Sequence, residues 1–228
     1  GKPCGLMDQC ASSVGSLINI DFKDIDKPVV RKVDVDFSKF EHSLCIVDTK
    51  GSHADLTDEY AAIPAEMKKI ANYFNKEFLR EVDEQEFFDN IAKVREIGND
   101  RAVLRAIHLF TENKRVDLQV AALNAGDFDE FKRLIKASGD SSYKFLQNVY
   151  ANSDVFNQSV SIGLAMSEKI LGDNGVCRVH GGGFAGTIQA FVKDSYVDTY
   201  KTEIEKVFGK DSCHILKVRK YGGKKVIY

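Results

Sequence analysis

Apolar spacing changes character twice along the chain, and each change marks a different kind of structure. Near the start, Leu17-Ile-Asn-Ile-Asp-Phe22 alternates as a half-buried strand does, and Val29–Val35 alternates less cleanly. Leu44-Cys-Ile-Val-Asp48 is a short apolar run of the kind a buried strand carries. Before these, Asp8–Gly15 is rich in small residues and reads as a short helix with Asp8 as its N-cap. The middle switches to helical spacing. Tyr60, Ile63, Met67, Ile70, Phe74 and Phe78 fall on one helix face, with Pro64 near the helix start. Asp83-Glu-Gln-Glu86 resembles a capping box ahead of Phe87, Phe88, Ile91 and Val94. Helices follow over Ala102–Phe110 and Val116–Leu123, Gly126-Asp127 closes one helix and caps the next, and Phe128, Phe131, Leu134 and Ile135 continue the pattern. Val155, Ile162 and Met166 mark another helix that ends near Gly172. The last fifty residues return to strands at Val176–Val179, Thr187–Val192 and Cys213–Val218, with an amphipathic helix over Tyr196–Phe208. Strands that flank a block of helices predict an α+β fold with a mainly antiparallel sheet.

Composition narrows the function classes. The 228 residues are 43% hydrophobic and 29% charged, a globular balance that argues against disorder. Thirty-two Lys and Arg against 34 Asp and Glu give a net charge of −2, which argues against general nucleic-acid binding. No apolar run approaches the length of a membrane span, and no secretory leader is visible. The five cysteines (Cys4, Cys10, Cys45, Cys177, Cys213) are scattered and form no C-x-x-C pair, which argues against a structural zinc site and for a reducing, cytoplasmic setting. The histidines show no ligand spacing, so no metal site is predicted. Five cations crowd Lys217–Lys225, which a solvated strand edge explains as well as a phosphate patch.

Three segments carry candidate chemistry. His180-Gly-Gly-Gly-Phe-Ala-Gly186 formally satisfies G-x-G-x-x-G, but a strand pattern follows where a dinucleotide-binding loop needs a helix. No Walker A loop occurs. What remains is a strand–glycine loop–strand, which either turns a hairpin through positive φ or brings backbone N–H groups against a phosphate. Pro3-Cys-Gly-Leu-Met-Asp8 places a carboxylate at a helix N-terminus, where it caps the helix or accepts a proton from a substrate hydroxyl. Asp48-Thr-Lys-Gly-Ser-His53 leads to Glu59-Tyr60, and Tyr60 is either a core tyrosine or a hydroxyl at the rim of a cleft.

Together and in this order, these segments resemble the galactokinase family. Pro3-Cys-Gly-Leu-Met-Asp-Gln is similar to the family segment that carries a catalytic aspartate. Asp48-Thr, His53 and Glu59-Tyr60 resemble its next stretch. His108, Glu112-Asn-Lys-Arg115 and Ala121-Ala-Leu-Asn-Ala-Gly-Asp-Phe-Asp-Glu-Phe131 resemble its helical middle. His180–Gly186 resembles the third motif of the wider GHMP kinase superfamily. The resemblance runs over nearly the whole chain.

It implies a ferredoxin-like C-terminal GHMP kinase domain over residues 43–228, with residues 1–42 as a remnant of the N-terminal domain. It implies transfer of the ATP γ-phosphoryl group to the C1 hydroxyl of galactose or a related hexose, with ATP and Mg²⁺ as cofactors. Asp8 matches the catalytic aspartate, Gly5 a backbone contact to the sugar, and Tyr60 a tyrosine that contacts the sugar. Gly181, Gly182 and Gly183 match the loop that supports the nucleotide-phosphate region. The partners implied are sugar and ATP, with no nucleic acid and no membrane. The family's N-terminal sugar motif and Ser-rich ATP loop lie upstream of the Pro-Cys-Gly segment in relatives and are absent. The expectation is therefore a C-terminal portion, inactive alone, whose first segment is held by the missing half or by another copy. Ala185 stands where the family usually has glycine. A family histidine is missing after Lys136-Ala-Ser-Gly139, and Ser142–Asn157 diverges from the family's Asp-Tyr stretch. These departures keep a second class open, a sugar- and ATP-binding sensor without efficient transfer.

Overall fold

The structure, a computed structural model, describes residues 6–24, 26–51 and 56–223. Helix α1 (Leu6–Val14) leads into a hairpin of β1 (Leu17–Asp21) and β2 (Val29–Val33), paired antiparallel with Leu17 opposite Val33. The main sheet is antiparallel throughout. It contains β3 (His42–Asp48), β4 (Gly175–Val179), β5 (Thr187–Lys193) and β6 (Cys213–Leu216) in the order β4-β5-β3-β6. Strands from both ends of the sequence thus meet in one sheet, as their placement around the helical block predicts.

The helical block runs α2 (Thr57–Tyr73), α3 (Glu84–Asp89), α4 (Ile91–Gly98), α5 (Asp100–Ala125) and α6 (Phe128–Ser141). Beyond it lie α7 (Ser159–Leu171) and, after β5, α8 (Val197–Phe208). Several boundaries differ from the sequence reading. Helix α1 begins at Leu6, so Asp8 lies inside its first turn and is not the N-cap. Pro64 lies inside α2, where it removes the N–H that would reach the Tyr60 carbonyl. Helix α2 stops at Tyr73 because Asn75 takes a left-handed conformation (φ 55°) and the chain closes a Schellman motif, with Lys76 N–H on Ala71 O and Asn75 N–H on Asn72 O. Phe78 is left outside it and exposed. The Asp83 cap is present, accepting from Glu86 N at 2.9 Å, but its helix breaks at Asn90 into two. The stretch split in the sequence reading at Thr111–Arg115 is one 26-residue helix, because those residues are polar yet carry no helix breaker.

Both faces of the main sheet are covered. Alternation along β5 sends Ile188, Ala190 and Val192 toward α7 and α8, where they pack with Val47, Val160 and Tyr200. Phe191 points the other way, into an aromatic cluster with Phe37, Phe40, Phe128 and Phe131 whose ring centroids lie 4.6 to 6.4 Å apart. A third core joins α2, α4 and α5 through Ile70, Ala71, Val94 and Ala106. A fourth, small cluster of Leu56, Ala151, Phe184 and Ala185 lies against Tyr60 and Ile63, and it marks the place where the helical block meets the β4–β5 loop.

Candidate functional site

The β4–β5 connection, His180 to Gly186, is a hairpin loop, and Thr187 begins a strand where a dinucleotide-binding loop would need a helix. His180 N–H closes the hairpin on Thr187 O at 3.1 Å. Gly181, Gly183 and Gly186 take φ of 69°, 81° and 90°. A turn explains those angles, but two glycines are also required by close approach. A Cβ on Gly182 would lie 2.8 Å from the Tyr60 ring, and one on Gly183 would lie 1.9 Å from Asn148 O.

Tyr60 stands in the first turn of α2, half-buried, and its Oη donates to Gly183 O at 2.9 Å. Its ring meets Phe184 edge-to-face at 5.2 Å, and burial raises its pKa. The adjacent Glu59 is buried and accepts from Ser153 N at 3.1 Å and Asn152 Nδ2 at 3.4 Å. Thr49, just past β3, donates its hydroxyl to Gly186 O at 2.7 Å and its N–H to the same oxygen at 2.8 Å. The loop is therefore held at Gly183 and at Gly186 by the two segments that the sequence singled out, Glu59-Tyr60 and Asp48-Thr49.

Asp8 is exposed in the first turn of α1, a helix that buries none of its residues. Its carboxylate is near enough to His180 to raise that imidazole's pKa against the stronger opposing effect of burial. Tyr60 thus packs on the Gly181–Gly183 loop, and the charge of Asp8 is felt at His180, where that loop begins. Gly5 and His53 lie outside the described residues.

A set of partly buried ion pairs, which the sequence reading missed, links β4 to α5 and α5 to α2. Arg178, in β4, sends Nη1 to Ser138 Oγ at 2.6 Å and lies 3.8 Å from Glu112 Oε1. Glu112 also pairs with Arg115 and accepts from Ser138. Arg105, fully buried, pairs with Glu66 at 2.8 Å and donates from Nε to Leu146 O at 3.1 Å, while Arg101 takes the other Glu66 oxygen at 2.5 Å. The signal was present: Arg105 interrupts the apolar stripe Ala102, Val103, Ala106, and a cation in such a stripe stays buried only if paired.

His108 joins the same set. Its Nδ1 lies 2.9 Å from Ser141 Oγ, and burial lowers its pKa, with Arg178 and Arg115 adding to the effect and Glu112 opposing it. His42 and His180 are lowered by burial as well. A histidine held neutral in the fold binds its proton only on unfolding, so acid favours the unfolded chain. Stability is complete above the ordinary histidine pKa of about 6.5 and declines as pH falls below it. We expect thermal melting across pH 8 to 5 to show that decline, with His108→Gln making it shallower. An equal slope in His108→Gln would remove His108 from the account.

The backbone N–H groups of Gly181 and Gly182, both exposed, donate to no acceptor among the described residues and are open to an anion, whereas Gly183 is buried against Asn148. A nucleotide phosphate fits that arrangement. A divalent cation is not matched in the same way, because the described residues gather no group of three or more His, Cys, Asp or Glu side chains. No helix among them is long and apolar enough to cross a membrane.

No family model matches the chain. Curated relatives do. The chain is 29% identical over 200 residues to the galactokinase of Actinobacillus pleuropneumoniae, covering 87% of this chain and 49% of the relative. It is 28% identical over 215 residues to that of Glaesserella parasuis serovar 5, covering 93% and 52%. The chain spans about half the length of the curated relatives it matches. Among solved structures, Lactococcus lactis galactokinase complexed with galactose superposes with a TM-score of 0.75 at 22% identity, over 99% of this chain and 57% of that one. Mevalonate kinase of L. major in complex with R-mevalonate gives 0.58 at 15% identity, over 98% and 55%. The chain has the GHMP kinase fold. Within that class it is similar to galactokinases.

Proposed function

We propose that the chain is the C-terminal portion of a sugar kinase that transfers the γ-phosphoryl group of ATP to the C1 hydroxyl of galactose or a related hexose. The observation that carries this reading is the seating of Tyr60 on the Gly181–Gly183 loop in a chain similar to galactokinases. In this reading, the sugar C1 oxygen forms a bond to the γ-phosphorus, the bond from that phosphorus to the bridging oxygen breaks, and ADP leaves. Asp8 accepts the C1 hydroxyl proton. Tyr60, and Gly5 through its backbone, orient the sugar. The amides of Gly181 and Gly182 hold phosphate oxygens, so that their work is positioning and charge stabilisation. No step is assigned to Mg²⁺.

Residues 1–42 are read as part of the N-terminal kinase domain and 43–228 as the C-terminal domain. The chain alone is inactive in this reading, and its partner is the upstream half. Its setting is the cytoplasm, in keeping with Cys10, Cys45, Cys177 and Cys213 as free thiols. A coupled ADP-release assay on the whole protein tests the reading with galactose, N-acetylgalactosamine, arabinose and galacturonate. Turnover on one of them supports it. Tight sugar binding without ADP release turns it into the sensor, which the departures at Ala185 and Ser142–Asn157 favour. Neither binding nor turnover refutes both.

A further inference from the structure

A residue of the divergent Ser142–Asn157 stretch grips the glycine loop. Helix α6 ends in a π-turn over Ser142–Leu146, and Gln147 follows with φ of 56°. Such turns are rare in helices and concentrate at functional sites. This one is held at both ends by arginines of the ion pairs described above. Arg178 reaches Ser138 and Ser142, and Arg105 reaches the Leu146 carbonyl. The turn delivers Asn148, which is 3% exposed, directly against the loop.

Asn148 makes two bonds there. Its Nδ2 donates to Gly182 O at 3.1 Å, and its main-chain carbonyl accepts from Phe184 N–H at 2.5 Å. The residue between those contacts is Gly183, whose carbonyl takes the Tyr60 hydroxyl. Phe184 itself sits at φ of 61°, a conformation that a bulky side chain adopts only when its surroundings enforce it. Because Gly182 O can only accept, the amide orientation is fixed, and Oδ1 faces the other way. Among the described residues no donor reaches that buried oxygen. A buried acceptor left without a donor lowers stability, so packing alone does not account for an asparagine here.

We propose that Asn148 is a positioning residue: it holds the Gly182–Phe184 loop in the conformation that aligns Tyr60 and the glycine amides for the sugar and the phosphate. This rests on the kinase reading of the same site. The Ser142–Asn157 divergence is then the means by which this chain sets its loop.

Asn148→Leu in the whole protein tests it. Leucine keeps the same branched skeleton of side-chain heavy atoms, though its methyl groups are bulkier than the amide; it removes the bond to Gly182 O and also the unpartnered oxygen. The thermal midpoint is expected to stay within about 3 °C of the parent. Hydrogen exchange at the Phe184 amide, which is bonded to Asn148 O, is expected to accelerate about tenfold. The KM for galactose is expected to rise about tenfold, with the KM for ATP changing less than about twofold. Tyr60→Phe combined with Asn148→Leu should lose less than the sum of the two, because both act through Gly183. Should Asn148→Leu fail to fold, Asn148→Ser, too short to reach Gly182 O, carries the same measurements. Parental loop exchange together with a parental galactose KM overturns the proposal, as does a lower midpoint with both KM values unchanged. An unmutated protein that phosphorylates no hexose overturns the kinase reading instead, and loop exchange, which needs no substrate, still decides the role of Asn148.

Discussion

Asp8→Ala is expected to abolish turnover of the whole protein while leaving its stability and most of its sugar affinity in place. The expectation follows from where the carboxylate sits. Helix α1 buries none of its residues, and Asp8 is exposed in its first turn. Loss of a favourable dipole interaction there costs about 0.3–1 kcal/mol, too little to unfold the chain. A group that only decorates a helix end would be silent in an activity assay. A group that takes the C1 hydroxyl proton would not, since positioned proton acceptors contribute about 10²–10⁴ in rate. The structure adds a reason for the second outcome. The charge of Asp8 acts on His180, the residue that opens the glycine loop, although burial outweighs it there. The measurements are ADP release under saturating galactose and ATP, galactose affinity by calorimetry, and the thermal midpoint. Turnover near the parental rate would dismiss Asp8 as the proton acceptor. A large fall in midpoint would return it to a structural role.

Local chemistry was legible in the sequence; the way elements lean on one another was not. The strands, the Asp83 and Asp127 caps and the glycine at 126 were readable because each rests on neighbours within four residues. The two-part reading of α5 failed because Thr111–Arg115 looks like a polar interruption, whereas Glu112 and Arg115 turn inward to meet Ser138 and each other. The end of α2 was missed because asparagine serves there as the left-handed cap in place of glycine. The glycine loop was found by its composition, but its two possible uses could not be separated from spacing. Nor does spacing reveal why glycine is needed at 182 and 183: one lies against a tyrosine more than a hundred residues earlier, the other against an asparagine in the divergent stretch. Asn148 carries no signal of its own in the sequence. Its importance comes from a π-turn and two arginines whose partners lie far away along the chain.

The three consecutive glycines allow a graded test, because alanine at each meets a different obstacle. At Gly181 the added Cβ finds nothing within 4 Å, so only the left-handed backbone (φ 69°) opposes it, at about 1–2 kcal/mol. At Gly182 the methyl would press on the Tyr60 ring at 2.8 Å, a side chain that can tilt by losing its bond to Gly183 O. At Gly183 the methyl would lie 1.9 Å from a backbone oxygen, Asn148 O, and 2.7 Å from its amide nitrogen, with φ of 81°. Neither obstacle is the free end of a flexible chain. Gly183→Ala must therefore separate the loop from Asn148, releasing both the Phe184 N–H bond and the strained Phe184 backbone, and the Tyr60 hydroxyl loses its acceptor with them. Two hydrogen bonds at about 0.5–1.5 kcal/mol each, added to the backbone penalty, give an expected loss of about 2–5 kcal/mol. Denaturant unfolding should rank Gly181→Ala mildest and Gly183→Ala most severe, with Gly182→Ala between them. Sugar phosphorylation should follow the same order, since each step moves Tyr60 further from its place. A Gly183→Ala protein as stable as Gly181→Ala would mean that the loop is not clamped on Asn148. The hairpin would then be a free turn, and its amides would lack the fixed geometry that holding a phosphate requires.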